Sequence, residues 1–304
     1  MRIKLCGLIV WAAMLAAGFV SCQQHDDIPQ GVKYPILFDS SDTRATANLD
    51  SLVANGFKVY AYFKGNTENS HTFDKDVYYD ATNRVWTYDK LEYWIPGAQY
   101  WFRAFYPKSG YTLNVNTTTS DLSYTIEDFD ITSQLDLMDA EATASVTAGA
   151  TAPKDGSVVK FSFNHLLACV AIELKSEIAN VTVSEISLED IAQTGNYSNG
   201  TWTSEQTATI NKQYSGEALV KDATDFVDVT DGGFLVIPES IGGKQRLIIR
   251  TSHKDYEVVI PVITWELGKK YTYTLTIKQE NIEFNEPGVD IWDEENATGS
   301  VVIK

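Results

Sequence analysis

Apolar and polar residues alternate with a period of two along much of the chain. "FKVYAYF" (57–63) sets Phe57, Val59, Ala61 and Phe63 against Lys58, Tyr60 and Tyr62. "YTYTLTI" (271–277) sets Tyr271, Tyr273, Leu275 and Ile277 against threonines. Such alternation predicts half-buried strands, because successive side chains leave a strand on opposite faces. "VVKFSF" (158–163), "VTVSEISL" (181–188), "GFLVIP" (233–238), "RLIIR" (246–250) and "YEVVIP" (256–261) are further strand-like runs. Gly, Asn, Asp and Pro punctuate them at short intervals, a pattern that predicts antiparallel β-sandwiches. Helical periodicity is confined to "NLDSLVANG" (48–56), where Asn48 is suited to begin a short helix and Gly56 to end it.

The pattern breaks in two places. "TASVTAGATAPKDG" (143–156) is small, polar and aperiodic, and marks a boundary between an aromatic-rich half and a half richer in Val, Ile and Thr. The start of the chain is uniformly apolar instead: "LCGLIVWAAMLAAGFV" (5–20) follows Arg2 and Lys4. A basic start and a short apolar run form an export signal, and the run is shorter than the roughly 20 residues of a membrane-spanning helix. Phe19-Val20-Ser21-Cys22 resembles a bacterial lipobox, with Phe19 where Leu is usual, and makes Cys22 the expected lipidation site. Plain secretion with an incidental cysteine is the alternative. Asp26 and Asp27 loosely resemble the acidic signal that sends some lipoproteins to the outer face of the outer membrane. The expected organisation is a signal peptide (1–21), a lipidated tether (22–35), an N-terminal β-sandwich (36–155) and a C-terminal β-sandwich (156–304).

Composition narrows the partners. Loss of residues 1–21 removes Arg2 and Lys4 and leaves 22 basic residues against 41 acidic ones, a net charge of −19. A surface so acidic repels nucleic acid and anionic lipid, so no nucleic acid is expected as a partner. Beyond Cys6 and Cys22 the chain has only Cys169, set among apolar residues and read as a small buried side chain.

Catalytic signatures are missing: there is no H-E-x-x-H, G-x-S-x-G or G-x-x-x-x-G-K-[ST]. His25, His71, His165 and His253 are too scattered to suggest a metal site. Asp222, Asp225, Asp228 and Asp231 recur at every third position, which is not the spacing of a calcium-binding EF-hand loop, and read as a solvated loop, with loose calcium binding as the alternative. Carboxylates suffice for a glycosidase pair, but nothing singles out two of them. No catalytic residue, metal ligand or cofactor is expected. "LEYWIPGAQYWFRAFYP" (91–107) reads either as a sugar-stacking platform around Trp94 and Trp101 or as sandwich core, and the alternation Tyr100, Phe102, Ala104, Tyr106 favours core.

Several stretches together resemble the fimbrillin family of type V pilins and accessory lipoproteins. They run in order: "DSSDTRA" (39–45), "GFKVYAYF" (56–63), "YWFRAFYP" (100–107), "DLMDAEAT" (136–143), "VVKFSFNHLLACVAIEL" (158–174), "GNYSNGTW" (195–202), "FLVIPE" (234–239) and "WELGKKYTYTLTI" (265–277). The resemblance covers residues 36 to about 292. It implies an all-β chain of two tandem antiparallel sandwiches of transthyretin-like topology after a lipoprotein signal peptide. It also implies a non-enzymatic structural or adhesive subunit of surface fimbriae, anchored to the outer membrane by lipid. Its implied partners are other fimbrial subunits, an arginine-specific protease and a host or bacterial surface ligand.

In polymerising members of that family the protease removes an N-terminal strand, and a strand from another subunit fills the groove. Here Arg44 and Ala45 would flank the cut. "YPILFD" (34–39) would leave, with Ile36 and Phe38 directed into the groove and Leu37 opposite. His165 matches the family's histidine and is expected to hydrogen-bond structurally. The competing reading is a surface-exposed glycan-binding lipoprotein.

Overall fold

The computed structural model describes residues 33–40, 46–65, 70–285 and 287–292, with residues 46–50 described by backbone alone. Cys22, Arg44 and Ala45 lie outside the described residues. No helix among those described is long and apolar enough to cross a membrane.

The chain opens with β1 (Leu37–Asp39), helix α1 (Thr46–Asn55), β2 (Phe57–Lys64), β3 (Ser70–Asp80), β4 (Val85–Thr87) and β5 (Gln99–Tyr106). The helix begins two residues earlier than expected, so Asn48 lies inside it, and Gly56 ends it with φ 70°. Only glycine fits there: a Cβ would sit 2.1 Å from the Val77 carbonyl oxygen. A hairpin of β6 (Thr112–Val115) and β7 (Tyr124–Asp130) follows, then β8 (Met138–Ser145), β9 (Val158–Lys160) and the two-residue β10 (Asn164–His165). The next three strands are β11 (Ala168–Ser176), β12 (Val183–Ser198) and β13 (Thr201–Gln213).

The first sheet has the order β10-β8-β5-β2-β3-β4, antiparallel throughout. Its inner face carries the alternating residues: Phe57, Val59 and Ala61 from β2, and Tyr100, Phe102, Ala104 and Tyr106 from β5, all buried. Register places Ala61 opposite Phe102, so small and large side chains interlock. The pair β1–β9 packs against this face and joins the same core through Phe38, Val159 and Phe161.

The second core lies between two further sheets. One is centred on β12, which pairs with β7, β13 and the strand Arg246–Thr251. The other joins β11 to the strand Lys269–Ile277. Ile186, Leu188, Leu247 and Ile249 belong to this core together with Ile172, Leu174, Tyr271, Tyr273 and Leu275. Trp265 is wholly buried, and its indole N–H donates to the Tyr273 hydroxyl at 3.1 Å.

Among the described residues two ladders are parallel: β1 with β9, and β11 with Lys269–Ile277. Alternation of apolar residues is the same for either direction of pairing, so the sequence pattern is silent on this point. The cores also exchange chain segments. Ile126, Phe129, Ile131 and Leu137 enter the second core, whereas Val159, Phe161 and Phe163 return to the first.

Candidate functional site

The N-terminal segment occupies a slot bounded by backbone on both sides. On one side the Ile36 N–H donates to the Glu92 carbonyl at 2.8 Å, and the Trp94 N–H donates to the Tyr34 carbonyl at 3.0 Å. On the other, Leu37 N–H donates to Ser157 at 3.1 Å and Phe161 N–H donates to Asp39 at 2.8 Å. Between these bonds Leu37, Phe38 and Asp39 lie in register with Val158, Val159 and Lys160. Extended backbone with both edges engaged is an interior strand, with its polar groups satisfied by neighbours rather than water.

Side chains follow the strand period. Ile36 is wholly buried and Phe38 is 3 % exposed, whereas Leu37 between them is half-buried. The Phe38 ring lies among Tyr88, Phe102 and Phe161. Tyr88 fixes the slot from below: its hydroxyl donates to the Ile36 carbonyl at 2.6 Å and accepts from the Glu92 N–H at 3.2 Å. Burial pushes the Tyr88 hydroxyl up to about 12, so it stays a neutral donor at physiological pH. Trp94 closes one end, 4 % exposed, with its indole N–H directed to the Ser157 carbonyl at 3.3 Å. Tyr88, Trp94 and Phe161 thus build the slot although the sequence pattern gave them no part in it. Alternation in "VVKFSF" was the one available signal, for Phe161.

Beyond Ser40 the chain passes through residues 41–45, which contain Arg44 and Ala45, before α1 begins at Thr46. The covalent connection from the strand to α1 therefore contains Arg44 and Ala45.

Other singled-out residues are structural in their surroundings. His165 is 2 % exposed, its Nδ1 lies 2.9 Å from Asp136, and its ring stacks on Trp292 at 3.5 Å. The Cys169 thiol donates to the Gly232 carbonyl at 3.2 Å, and burial pushes it up to about 11, far from a reactive thiolate. Asp228 caps a turn by accepting from the N–H groups of Thr230 and Gly232. Among the described residues no group of three or more His, Cys, Asp or Glu is placed to hold a metal ion.

A polar cluster links the two cores. Asp139 on β8 accepts from Arg103 on β5 and from the Tyr124 hydroxyl on β7, each at 2.9 Å. Tyr124 also packs edge-on against Phe105 and stacks with Tyr197 on β12. Burial raises the Asp139 carboxyl above its usual range, opposed by the Tyr124 and Arg103 hydrogen bonds.

No curated protein matches this sequence. Among solved structures, the fold is similar to a fimbrial protein from Bacteroides vulgatus ATCC 8482, with a TM-score of 0.60 and 19% identity over 86% of this chain and 100% of that one. It is also similar to a cell adhesion protein from Bacteroides uniformis ATCC 8492, described as putative, with a TM-score of 0.55 and 18% identity over 87% of this chain and 100% of the other. A third such protein, from Bacteroides ovatus ATCC 8483, gives 0.57 and 15% identity over 86% and 98%. These likenesses speak to the fold. Residues 43–292 match the family described as fimbrillin-like, and with that span covered the chain belongs to the fimbrillin-like family.

Proposed function

We propose that this chain is a structural or adhesive subunit of cell-surface fimbriae, exported as a lipoprotein anchored through Cys22 and assembled by strand exchange. The observation that carries the reading is the seating of residues 34–39. One strand places Ile36 and Phe38 in the first core and is hydrogen-bonded along both edges. Its only forward connection runs through the segment that holds Arg44. A cut after Arg44 would sever the covalent link between this strand and the chain that follows it.

Removal of the strand would uncover two rows of unpaired backbone groups and an apolar slot walled by Tyr88, Phe102 and Phe161. An incoming strand with large apolar residues at alternate positions would satisfy both. Burial of an Ile or Phe side chain is worth about 1.5–3 kcal/mol, so each of the two positions contributes substantially to exchange. In this reading the protein consists of two tandem sandwiches of transthyretin-like topology, tethered at the outer membrane and delivered to the fimbrium. Its partners are an arginine-specific protease, other fimbrial subunits and the surface ligand they meet.

The test is proteolysis of the purified precursor by an arginine-specific protease, read by intact mass and by size. The expected product begins at Ala45 and polymerises or captures a donor peptide, and Arg44→Ala blocks both. If Arg44 stays intact, or the trimmed protein remains monomeric with every subunit offered, the chain is an uncut anchor or tip subunit. Intact mass of the cell-surface form would also show whether Cys22 carries lipid.

A further inference from the structure

Alternation on β5 that turns Tyr100 and Phe102 inward turns Trp101 outward. Trp101 is paired in register with Tyr62 on β2, and their rings lie 5.7 Å apart. Both are half-buried rather than covered. The described residues therefore leave a pair of aromatic faces on the outer side of the first sheet, where β8 contributes only polar neighbours, Glu141, Thr143 and Ser145.

Two clefts meet at this pair. One, of about 490 Å³, is lined by Trp101, Arg103, Ser120, Asp121 and Glu141 among others. The second, of about 940 Å³, includes Trp101, Gln99, Ser145, Lys154 and Asp155. Both share Trp101, Ala142 and Thr143, so they adjoin as one groove that passes Trp101. Its charges balance in number, Arg103, Lys154 and Lys160 against Asp121, Glu141 and Asp155, and the Arg103 guanidinium is paired with Asp139 at 2.9 Å and with Glu141 at 3.1 Å.

We propose that this groove binds a neutral oligosaccharide, with a pyranose ring on Trp101 and flanking units in the two clefts. An aromatic face matches the C–H face of a sugar ring, and hydroxyl, amide and carboxylate groups on either side match its hydroxyls. A chain carrying 41 acidic against 24 basic residues disfavours an anionic glycan, and the equal numbers of cations and carboxylates lining the groove offer no net positive charge to attract one. Two adjoining clefts of about 490 and 940 Å³ offer more room than a single sugar fills, which favours an oligosaccharide. Trp94, the other tryptophan of this region, is buried in the core and takes no stacking role. The groove is present with residues 34–39 in place, and its second cleft shares Trp94, Val158 and Val159 with the slot that holds them.

Affinity electrophoresis of the full-length protein against a panel of neutral polysaccharides (mannan, galactomannan, xyloglucan, dextran) tests it, with tryptophan fluorescence titration by the matching oligosaccharides. At least one should retard the protein, and the retardation should persist when salt rises from about 0.05 to 0.5 M, since a neutral ligand is not screened. Trp101→Ala should weaken binding at least about tenfold with an unchanged circular dichroism spectrum. Thr143→Arg, at an exposed position of the same groove, should also weaken binding and serves if Trp101→Ala fails to fold. Binding that is equal in both variants, that requires an anionic polysaccharide, or that occurs with none of the panel would overturn the proposal. So would occupation of the groove by an extended peptide that the oligosaccharides do not displace.

Discussion

Phe38 touches Tyr88, Phe102 and Phe161, with ring centroids 5.3, 5.9 and 5.8 Å away. Truncation to alanine would leave a cavity among rings that cannot collapse together. Phe38→Ala should therefore cost about 3–5 kcal/mol, read as a lower urea midpoint with an unchanged slope. Leu37→Ala, at the half-buried position between, should cost distinctly less. The period of two in "YPILFD" was enough to separate these residues by face. What surrounds Phe38 was not legible, because Tyr88 and Trp94 belong to a stretch without regular alternation. Asp139 was hidden for a different reason: an acid within a strand reads as a solvent-facing residue until a half-buried arginine and a tyrosine hydroxyl are brought to it by other strands.

At the scale of elements, Gln134 stands in for a missing neighbour strand. Its side-chain amide donates to the Leu235 carbonyl and accepts from the Leu235 N–H, each at 3.0 Å. One side chain thereby completes the free edge of a strand that pairs with β11 on its other side. Gln134→Ala should cost about 1–3 kcal/mol by leaving both backbone groups unpaired. Gln134→Glu should not restore the loss, since a carboxylate accepts from the N–H but repels the carbonyl; equal urea midpoints for Glu and Gln would refute this. Strands with one apolar face, such as β2 and β5, were readable from their residues. β13 was not: it is mostly polar and exposed, and is held by backbone pairing with β12. The hairpin of β6 and β7 sits in the aromatic-rich half of the sequence, yet β7 joins the second core through its pairing with β12. That allegiance is set by a partner some seventy residues away, beyond the reach of any local pattern.

The molecule as a whole buries many phenols, and this fixes its response to alkali. Burial pushes Tyr88 and Tyr273 up to about 12, and raises Tyr111 and Tyr124 as well. A hydroxyl whose pKa is higher in the folded chain contributes stability that is complete below its unfolded value and is lost as pH rises through the folded one. The urea midpoint should then be insensitive to these groups up to about pH 9.5 and fall steeply from about pH 10 towards 12. A midpoint that held constant to pH 12 would contradict the burial. The exchange of segments between the cores has a mechanical consequence. From Tyr106 the chain goes to the second core at Ile126, back to the first at Met138, and over again after Phe163. A subunit pulled along a filament would not have its cores strung on one linker; tension would be shared among three crossings. Parting the cores would mean drawing Phe129 or Phe161 out of its packing, and resistance to force would be governed by that slow step rather than by overall stability.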